Sequence, residues 1–73
     1  MTLIAVDSTM LSAVGFDPDT GELEAVFADG AVWRYRNVPE RVYRELLAAD
    51  SKGSYMREFV IDVYVDYRVR RRS

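Results

Sequence analysis

The chain of 73 residues contains neither cysteine nor histidine. Without cysteine there is no disulfide framework and no thiolate metal site, and nothing indicates an oxidising compartment. Without either residue the chain lacks the usual nucleophile, the usual general base near neutral pH and the usual zinc ligands. We therefore expect a domain that is not an enzyme and that holds no metal and no cofactor.

Long apolar stretches are also missing. No run of about 18 uncharged apolar residues is present, and the N-terminus lacks the basic segment and apolar run of a signal peptide. With 49% hydrophobic and 30% charged residues, the composition is too apolar for a disordered chain. We expect one domain over residues 1–73, located in the cytoplasm and without a membrane partner.

Basic residues are absent from the first 33 positions. That part carries six acids and has a net charge of -6, whereas residues 34–73 carry ten bases against six acids and have a net charge of +4. The excess of positive charge reaches its highest density in the last six residues. A local cationic strip there would attract a phosphate backbone within a Debye length of about 8 Å.

Two turn sequences set the expected strand register. Residues 17–21 (Asp-Pro-Asp-Thr-Gly) suit a four-residue hairpin loop over 18–21. Residues 28–30 (Ala-Asp-Gly) suit a three-residue loop in which Gly30 takes the left-handed region and forms a G1 bulge. Counting outward from both loops predicts an antiparallel meander of three strands, at about 11–17, 22–28 and 31–36.

This register gives the predicted sheet one apolar face. The face consists of Val14, Phe16, Leu23, Ala25, Phe27, Ala31, Trp33 and Tyr35. On the opposite face, Glu24 pairs with Arg34 and Glu22 pairs with Arg36 across neighbouring strands. A two-residue loop at Asp29-Gly30 would instead place Arg34 among the apolar side chains, so the three-residue loop is preferred.

Two amphipathic helices are expected to cover the apolar face. Pro39 begins the first, at 39–50, whose apolar stripe is Val42, Tyr43, Leu46 and Leu47. Gly53 then serves as a stop signal. Ser54 is the candidate N-cap of a shorter helix with the stripe Met56, Phe59 and Val60.

The segment 62–69 fits two structures. Its β-branched residues favour a strand, but its apolar spacing also continues the helical stripe. Such a strand would pair with the edge of the meander or with the N-terminal residues 3–6. We expect an α+β fold: a three-stranded antiparallel β-meander, two helices packed on one face, and a C-terminal strand or extended arm. We expect residues 70–73 to form a frayed, arginine-rich tail.

The order of these features resembles the KTSC domain, a small bacterial family. The resemblance covers about residues 6–67 and depends most on the segments 33–39 (Trp-Arg-Tyr-Arg-Asn-Val-Pro) and 49–55 (Ala-Asp-Ser-Lys-Gly-Ser-Tyr). The start at Val6 and Ser8 also matches. Trp33 stands where the family usually has the first tyrosine of a Tyr-x-Tyr motif, and this exchange keeps a large amphipathic ring.

The resemblance implies a binding role and no catalytic residues. The family is named for its occurrence at the C-terminus of some lysyl-tRNA synthetases, and it also occurs as stand-alone proteins. Its function is undefined, and RNA binding has been suggested from that attachment. The motif positions that carry over are Trp33, Tyr35, Val38 and Pro39.

The candidate nucleic-acid site combines aromatic and basic residues. Trp33 and Tyr35 would stack on bases, although the predicted register also places both rings in the core. Arg34 and Arg36 would contact phosphates unless Glu24 and Glu22 neutralise them. The remaining cations of the strip are Lys52, Arg68, Arg70, Arg71 and Arg72.

Two further patterns in the sequence resemble known sites. The acids at 17, 19 and 22 lack the later ligands of a calcium loop, and the serines near Lys52 lack a nucleophile elbow, so turns and caps explain both.

RNA is the favoured partner. The alternative is a protein partner or a second copy of the chain, bound through Ala13, Val26 and Val32 and the sheet edge.

Overall fold

The computed structural model describes residues 1–69, which form an α+β fold. One antiparallel sheet has the strand order β1-β2-β3-β4-β5. Its strands are β1 (Leu3–Ala5), β2 (Leu11–Asp17), β3 (Glu22–Phe27), β4 (Val32–Tyr35) and β5 (Asp66–Val69). Between β4 and β5 lie the helices α1 (Glu40–Ala48) and α2 (Lys52–Tyr55), and α2 continues into a π-helical turn, Met56–Val60.

The central strands have the predicted register. Leu23 lies between Phe16 and Tyr35, and Ala25 lies between Val14 and Trp33. Both loops have the expected backbone, because Gly21 and Gly30 take positive φ values of 73° and 92°. The second loop closes with a hydrogen bond of 2.8 Å from the Phe27 N–H to the Ala31 carbonyl. The three-stranded meander is therefore confirmed as the centre of a larger sheet.

Two additional strands extend the meander at its edges. β1 pairs with β2 on one side and β5 pairs with β4 on the other, so the sheet has five strands. The sequence predicted a meander of three strands with a C-terminal strand or arm, and it did not predict β1 as a strand of this sheet. β1 approaches β2 closely at Gly15. A Cβ atom at Gly15 would lie 2.8 Å from the Thr2 carbonyl oxygen, so a larger residue there would push the N-terminal segment away.

The ambiguous C-terminal segment divides into a turn and a strand. Residues 61–65 form turns in which Asp62 has a φ of 64°, and the strand alternative is confirmed over Asp66–Val69. The strand pairs with the meander and not with residues 3–6. The predicted frayed tail at 70–73 lies outside the described residues.

The first helix is confirmed, but the predicted start of the second was wrong. Ser51, not Ser54, is the N-cap, and its Oγ accepts a hydrogen bond of 3.3 Å from the Ser54 N–H. Gly53 lies inside α2 and is not a stop signal. Met10 packs against this glycine, where a Cβ atom would be 3.1 Å from the Met10 sulfur.

The helices bury the predicted apolar face of the sheet. The core contains Leu11, Val14, Leu23, Ala25, Tyr35, Val38, Val42, Leu46, Met56 and Val60. Phe59 was wrongly expected in the buried stripe and is 48% exposed. The π-helical turn, closed by a hydrogen bond of 2.7 Å from the Ile61 N–H to the Met56 carbonyl, directs Phe59 outward, where it packs on Tyr55.

On the other face of the sheet, Glu24 is almost fully buried and pairs with Arg34. Arg34 Nε donates to Glu24 Oε1 at 2.7 Å, and a guanidinium nitrogen lies 3.7 Å from Glu22 Oε1. The Tyr67 hydroxyl donates to the same Glu22 carboxylate at 2.7 Å. The predicted pairing of Glu22 with Arg36 is wrong, because β4 ends at Tyr35 and Glu22 contacts these other partners.

The valines expected as an exposed interface lie on this same face. β5 places Val69 opposite Val32, which is only 6% exposed, and Val26 is half-buried. The fifth strand thus covers part of the strip that the sequence indicated as a docking surface. Val32 is not accessible to a partner.

We predict that Arg34→Leu lowers the free energy of unfolding by about 1 to 3 kcal/mol, because it leaves the buried Glu24 carboxylate without its closest cation. Adding Glu24→Leu should recover much of this loss, since both charged partners are then gone. Urea unfolding measures both variants. Arg44→Leu, which removes an exposed ion pair with Glu40, is the control and should change stability by less than about 0.5 kcal/mol. Equal losses for Arg34→Leu and the control would contradict this account.

Candidate nucleic-acid interface

Two loops that are distant in sequence face each other across a polar cleft of about 290 Å³. One loop precedes β2, and the other connects α1 to α2. The cleft is lined by Asp7, Ser8, Thr9, Met10, Asp50, Ser51, Lys52, Gly53 and Arg57. The contact of Met10 with Gly53 holds the two loops together at its floor.

Serine hydroxyls fix the backbone on both sides of this polar cleft. Ser8 Oγ accepts hydrogen bonds from the Met10 and Leu11 N–H groups at 3.2 and 3.3 Å. On the facing loop, Ser51 caps α2 and its hydroxyl donates to Ser54 Oγ at 2.9 Å. The walls of the cleft are therefore held by local hydrogen bonds, as a preformed binding site requires.

The polar cleft contains charges of both signs. Lys52 Nζ donates to the Ala49 carbonyl at 3.0 Å, and the Arg57 guanidinium contacts Ser54 Oγ and the Met10 sulfur at 3.4 Å each. Asp7 and Asp50 supply the carboxylates. Among residues 1–69, no ion pair joins these cations to these carboxylates. Both signs are thus open to a ligand.

A second, more apolar cleft of about 380 Å³ adjoins the first. Its lining consists of Thr9, Met10, Phe27, Ala28, Asp29, Ala31 and Trp33. Thr9 and Met10 belong to both clefts, so the two lie side by side, and we call the surface that they form together the groove. The half-buried indole of Trp33 lies at one end of the groove, and Lys52 and Arg57 lie at the other.

Arg68 lies beside the aromatic end of the groove. It is directly opposite Trp33 in the pairing of β4 with β5, and directly opposite residues of an antiparallel pair share one face of the sheet. Its side chain is exposed. A cation and an aromatic ring are therefore neighbours on the helix side of the sheet, beyond the part that the core residues of α1 and α2 cover.

Comparison with known proteins identifies the family. The sequence profile of the KTSC domain matches residues 7–64. The chain belongs to the KTSC domain family. The matched range includes the polar cleft and Trp33, and it ends before β5 and Arg68.

Relatives of this KTSC domain occur both alone and within a larger enzyme. An uncharacterized protein from Stutzerimonas stutzeri is 40% identical over 58 residues, which cover 80% of this chain and 82% of that protein. A protein from Tsukamurella paurometabola is 38% identical over 75% of this chain and 82% of its own length. A lysine–tRNA ligase from Nostoc sp. is 33% identical over 80% of this chain, and the match spans 10% of that enzyme.

A solved structure has the same fold as this KTSC domain. The crystal structure of a KTSC domain protein from Yersinia pestis superposes with a TM-score of 0.91, over 93% of this chain and 96% of that chain. The two sequences are 26% identical. The five-stranded sheet with its helices is therefore shared between the two proteins.

The structure separates the predicted site residues of this KTSC domain into two groups. Trp33, Lys52 and Arg68 lie on or beside the groove. Arg34 lies on the opposite face with Glu24, and Tyr35 is a core residue that is 2% exposed. These two do not join the groove.

The remaining predicted cations of the KTSC domain lie elsewhere. Arg36 is exposed just after the end of β4, and its backbone N–H donates to the Val65 carbonyl at 2.8 Å. Arg70, Arg71 and Arg72 lie outside the described residues. The continuous strip of cations that the sequence suggested is therefore divided between two faces of the sheet.

Sequence reasoning missed Arg57 and the two cleft carboxylates. Arg57 follows the buried Met56 in the π-helical turn, and its neighbour across the cleft is Met10, 47 positions earlier. One signal was available. The segments around Ser8 and around Lys52, both of which are part of the family resemblance, are polar at positions that the core does not require.

The remaining properties of the KTSC domain concern metal sites, membrane spans and groups with a shifted pKa. In the part of the chain that the structure describes, no cluster of three potential metal ligands occurs. Over the same residues, every helix is too short or too polar to cross a bilayer. Burial, together with the smaller effect of the nearby carboxylates of Asp66 and Asp62, raises the pKa of Tyr35 from 10 to about 12.

We predict that the KTSC domain loses stability between pH 10 and pH 12, partly through Tyr35. The unfolded tyrosine releases its proton near its ordinary pKa of 10, but the folded one does so near 12, so the folded state binds more protons in this interval. The contribution, about 2 kcal/mol, is present below pH 10 and disappears as the pH rises through 12. Urea unfolding at about pH 9 and about pH 11 measures this loss. The free energy of unfolding should fall less between the two pH values for Tyr35→Phe than for the wild type. Equal losses in the two proteins would contradict the assignment.

Proposed function

We propose that this KTSC domain is a non-catalytic module that binds single-stranded RNA in the groove. The observation that carries the proposal is that the two clefts lie side by side and share Thr9 and Met10. Their adjacency brings an aromatic ring and unpaired cations onto one surface. Proteins that bind single strands combine these two elements, aromatic platforms for the bases and positive charge for the backbone.

Trp33 supplies the stacking platform in this proposal. The indole is half-buried, so β4 and the core hold it in place while part of the ring borders the second, more apolar cleft. Phe27 extends the apolar lining beside it. A base stacked on such a ring gains about 1 to 3 kcal/mol without any requirement for its identity.

Lys52, Arg57 and Arg68 supply the phosphate contacts. Lys52 donates to a carbonyl, and Arg57 contacts a hydroxyl and a thioether. Within the described residues, none of the three cations is paired with a carboxylate. Arg34 differs, because Glu24 and Glu22 already neutralise it. Its hydrogen bond to Glu24 holds the pKa of Arg34 above its ordinary value, so the pair stays charged and occupied.

The comparisons support an RNA context without assigning a ligand. One relative is part of a lysine–tRNA ligase, an enzyme whose name states an RNA substrate. The alternative, a protein partner or a second copy, has less support because Val32 is buried. Light scattering on the free domain tests it, since a stable dimer would favour that alternative.

We predict that single-stranded RNA quenches the fluorescence of Trp33, the one tryptophan of the chain. An unlabelled strand of about 12 nucleotides is suitable, a length within the range of known single-strand sites. Three phosphate contacts should give a salt slope of about -2 for the logarithm of the binding constant, because each contact contributes about -0.7 on a single strand. A complex without quenching, or no complex at low salt, would refute the proposal.

Variants of single cations provide the matched test. Arg57→Ala and Arg68→Ala should each weaken binding and reduce the salt slope by about 0.7. Arg44→Ala is the control, because it removes the same charge from the exposed side of α1, outside both clefts. Equal weakening by all three variants would mean that only net charge matters, and it would contradict a site in the groove.

A further inference from the structure

The mixed charge of the polar cleft is unusual for a site that binds only phosphate. Two cations, Lys52 and Arg57, share the lining with two carboxylates, Asp7 and Asp50. A phosphate alone gains nothing from the carboxylates, which repel it. Phosphate contact therefore does not explain why the cleft contains two carboxylates.

The carboxylates are available as hydrogen-bond acceptors. Asp7 and Asp50 are exposed, and within residues 1–69 neither side chain forms a hydrogen bond or an ion pair. Each ionised carboxylate accepts and does not donate. A ligand that combines an anion with a nearby hydroxyl or amino donor would use both the cations and the carboxylates of the cleft.

A ribonucleotide has this combination. Its phosphate is an anion, and its 2′-hydroxyl is a donor on the adjoining ring, which DNA lacks. The neighbouring, more apolar cleft has room for a base against Trp33. The clefts measure about 290 and 380 Å³, so together they fall within the range of small-molecule sites.

We propose that the polar cleft distinguishes RNA from DNA: Lys52 and Arg57 hold a phosphate, and Asp7 or Asp50 accepts the 2′-hydroxyl of the same nucleotide segment. This inference rests on the proposed function, since it names the chemical group that gives the groove its selectivity. A hydrogen bond to a charged acceptor is stronger than a neutral one. Loss of one such bond corresponds to about a tenfold change in affinity.

The experiment compares two strands of one sequence. One is RNA, and the other is DNA with deoxyuridine in place of thymidine, so that only the 2′-hydroxyl differs. Fluorescence anisotropy of labelled strands should show that the wild type binds RNA about tenfold more tightly than DNA. The same measurement on Asp7→Ala/Asp50→Ala should give an RNA-to-DNA affinity ratio near one, while DNA affinity stays equal or rises because repulsion is removed.

Asp19→Ala is the control for the loss of a carboxylate. Asp19 is exposed in the β2–β3 loop, at the opposite end of β2 from the groove, and its replacement should leave the ratio unchanged. Urea unfolding of each variant verifies that it is folded. The stability should be unchanged, because these exposed side chains do not contribute to the core.

The outcomes separate this inference from the proposed function. No binding of either strand by the wild type overturns both. Tight binding with equal affinity for RNA and DNA leaves the proposed function intact and overturns the ribose assignment. Equal strengthening for RNA and DNA in the double variant, with the ratio preserved, shows that the carboxylates act only by repulsion and also overturns it.

Discussion

The register of β3 against β4 determines which side chains face the helices and which face outward. Side chains alternate along a strand, so a shift of one residue would exchange the two faces of β4 completely. In the observed register Glu24 lies opposite Arg34 and Ala25 lies opposite Trp33. The loop that sets it depends on Gly30, whose positive φ of 92° is available to glycine at little cost. The ion pair and the indole thus both depend on one short turn.

The consequences differ on the two faces. On the outer face, Glu24 is buried and bonded to Arg34, and Tyr67 of β5 joins through Glu22, so the edge strand is tied to the meander by polar contacts. On the inner face, α1 and the π-helical turn cover the apolar side chains nearest Tyr35, while Trp33 remains only half-covered. The groove lies where the inner face of the sheet near Trp33 is only partly covered.

The meander and its register were predictable because they depend on local chemistry. Both hairpin loops are specified within five consecutive residues, and the alternation of side chains then assigns each face. β1 was not predicted as a strand of the sheet, because it is three residues long and carries no turn signal. β5 was predicted only as one of two alternatives, since its apolar spacing also suits a helix. The start of α2 was misjudged because Gly53 is required by the contact with Met10, which no local pattern shows. Trp33, Lys52 and Arg68 could be identified from the sequence by residue type alone. The cleft with Arg57 could not be predicted, because it depends on two loops that are more than 40 positions apart.

The uneven charge of the chain acquires a structural meaning at the groove. Asp7 comes from the wholly acidic first part of the sequence, and Lys52 and Arg57 come from the basic second part, and the fold brings them to one cleft. A purely cationic strip would bind any polyanion, with an affinity set by counterion release and little selectivity. Carboxylates beside the cations weaken that general attraction and require the ligand to offer a donor at the same place. Complementary charge of this kind contributes more to specificity than to affinity. In the proposed function, the cations would therefore supply the affinity and the carboxylates would select among nucleic acids.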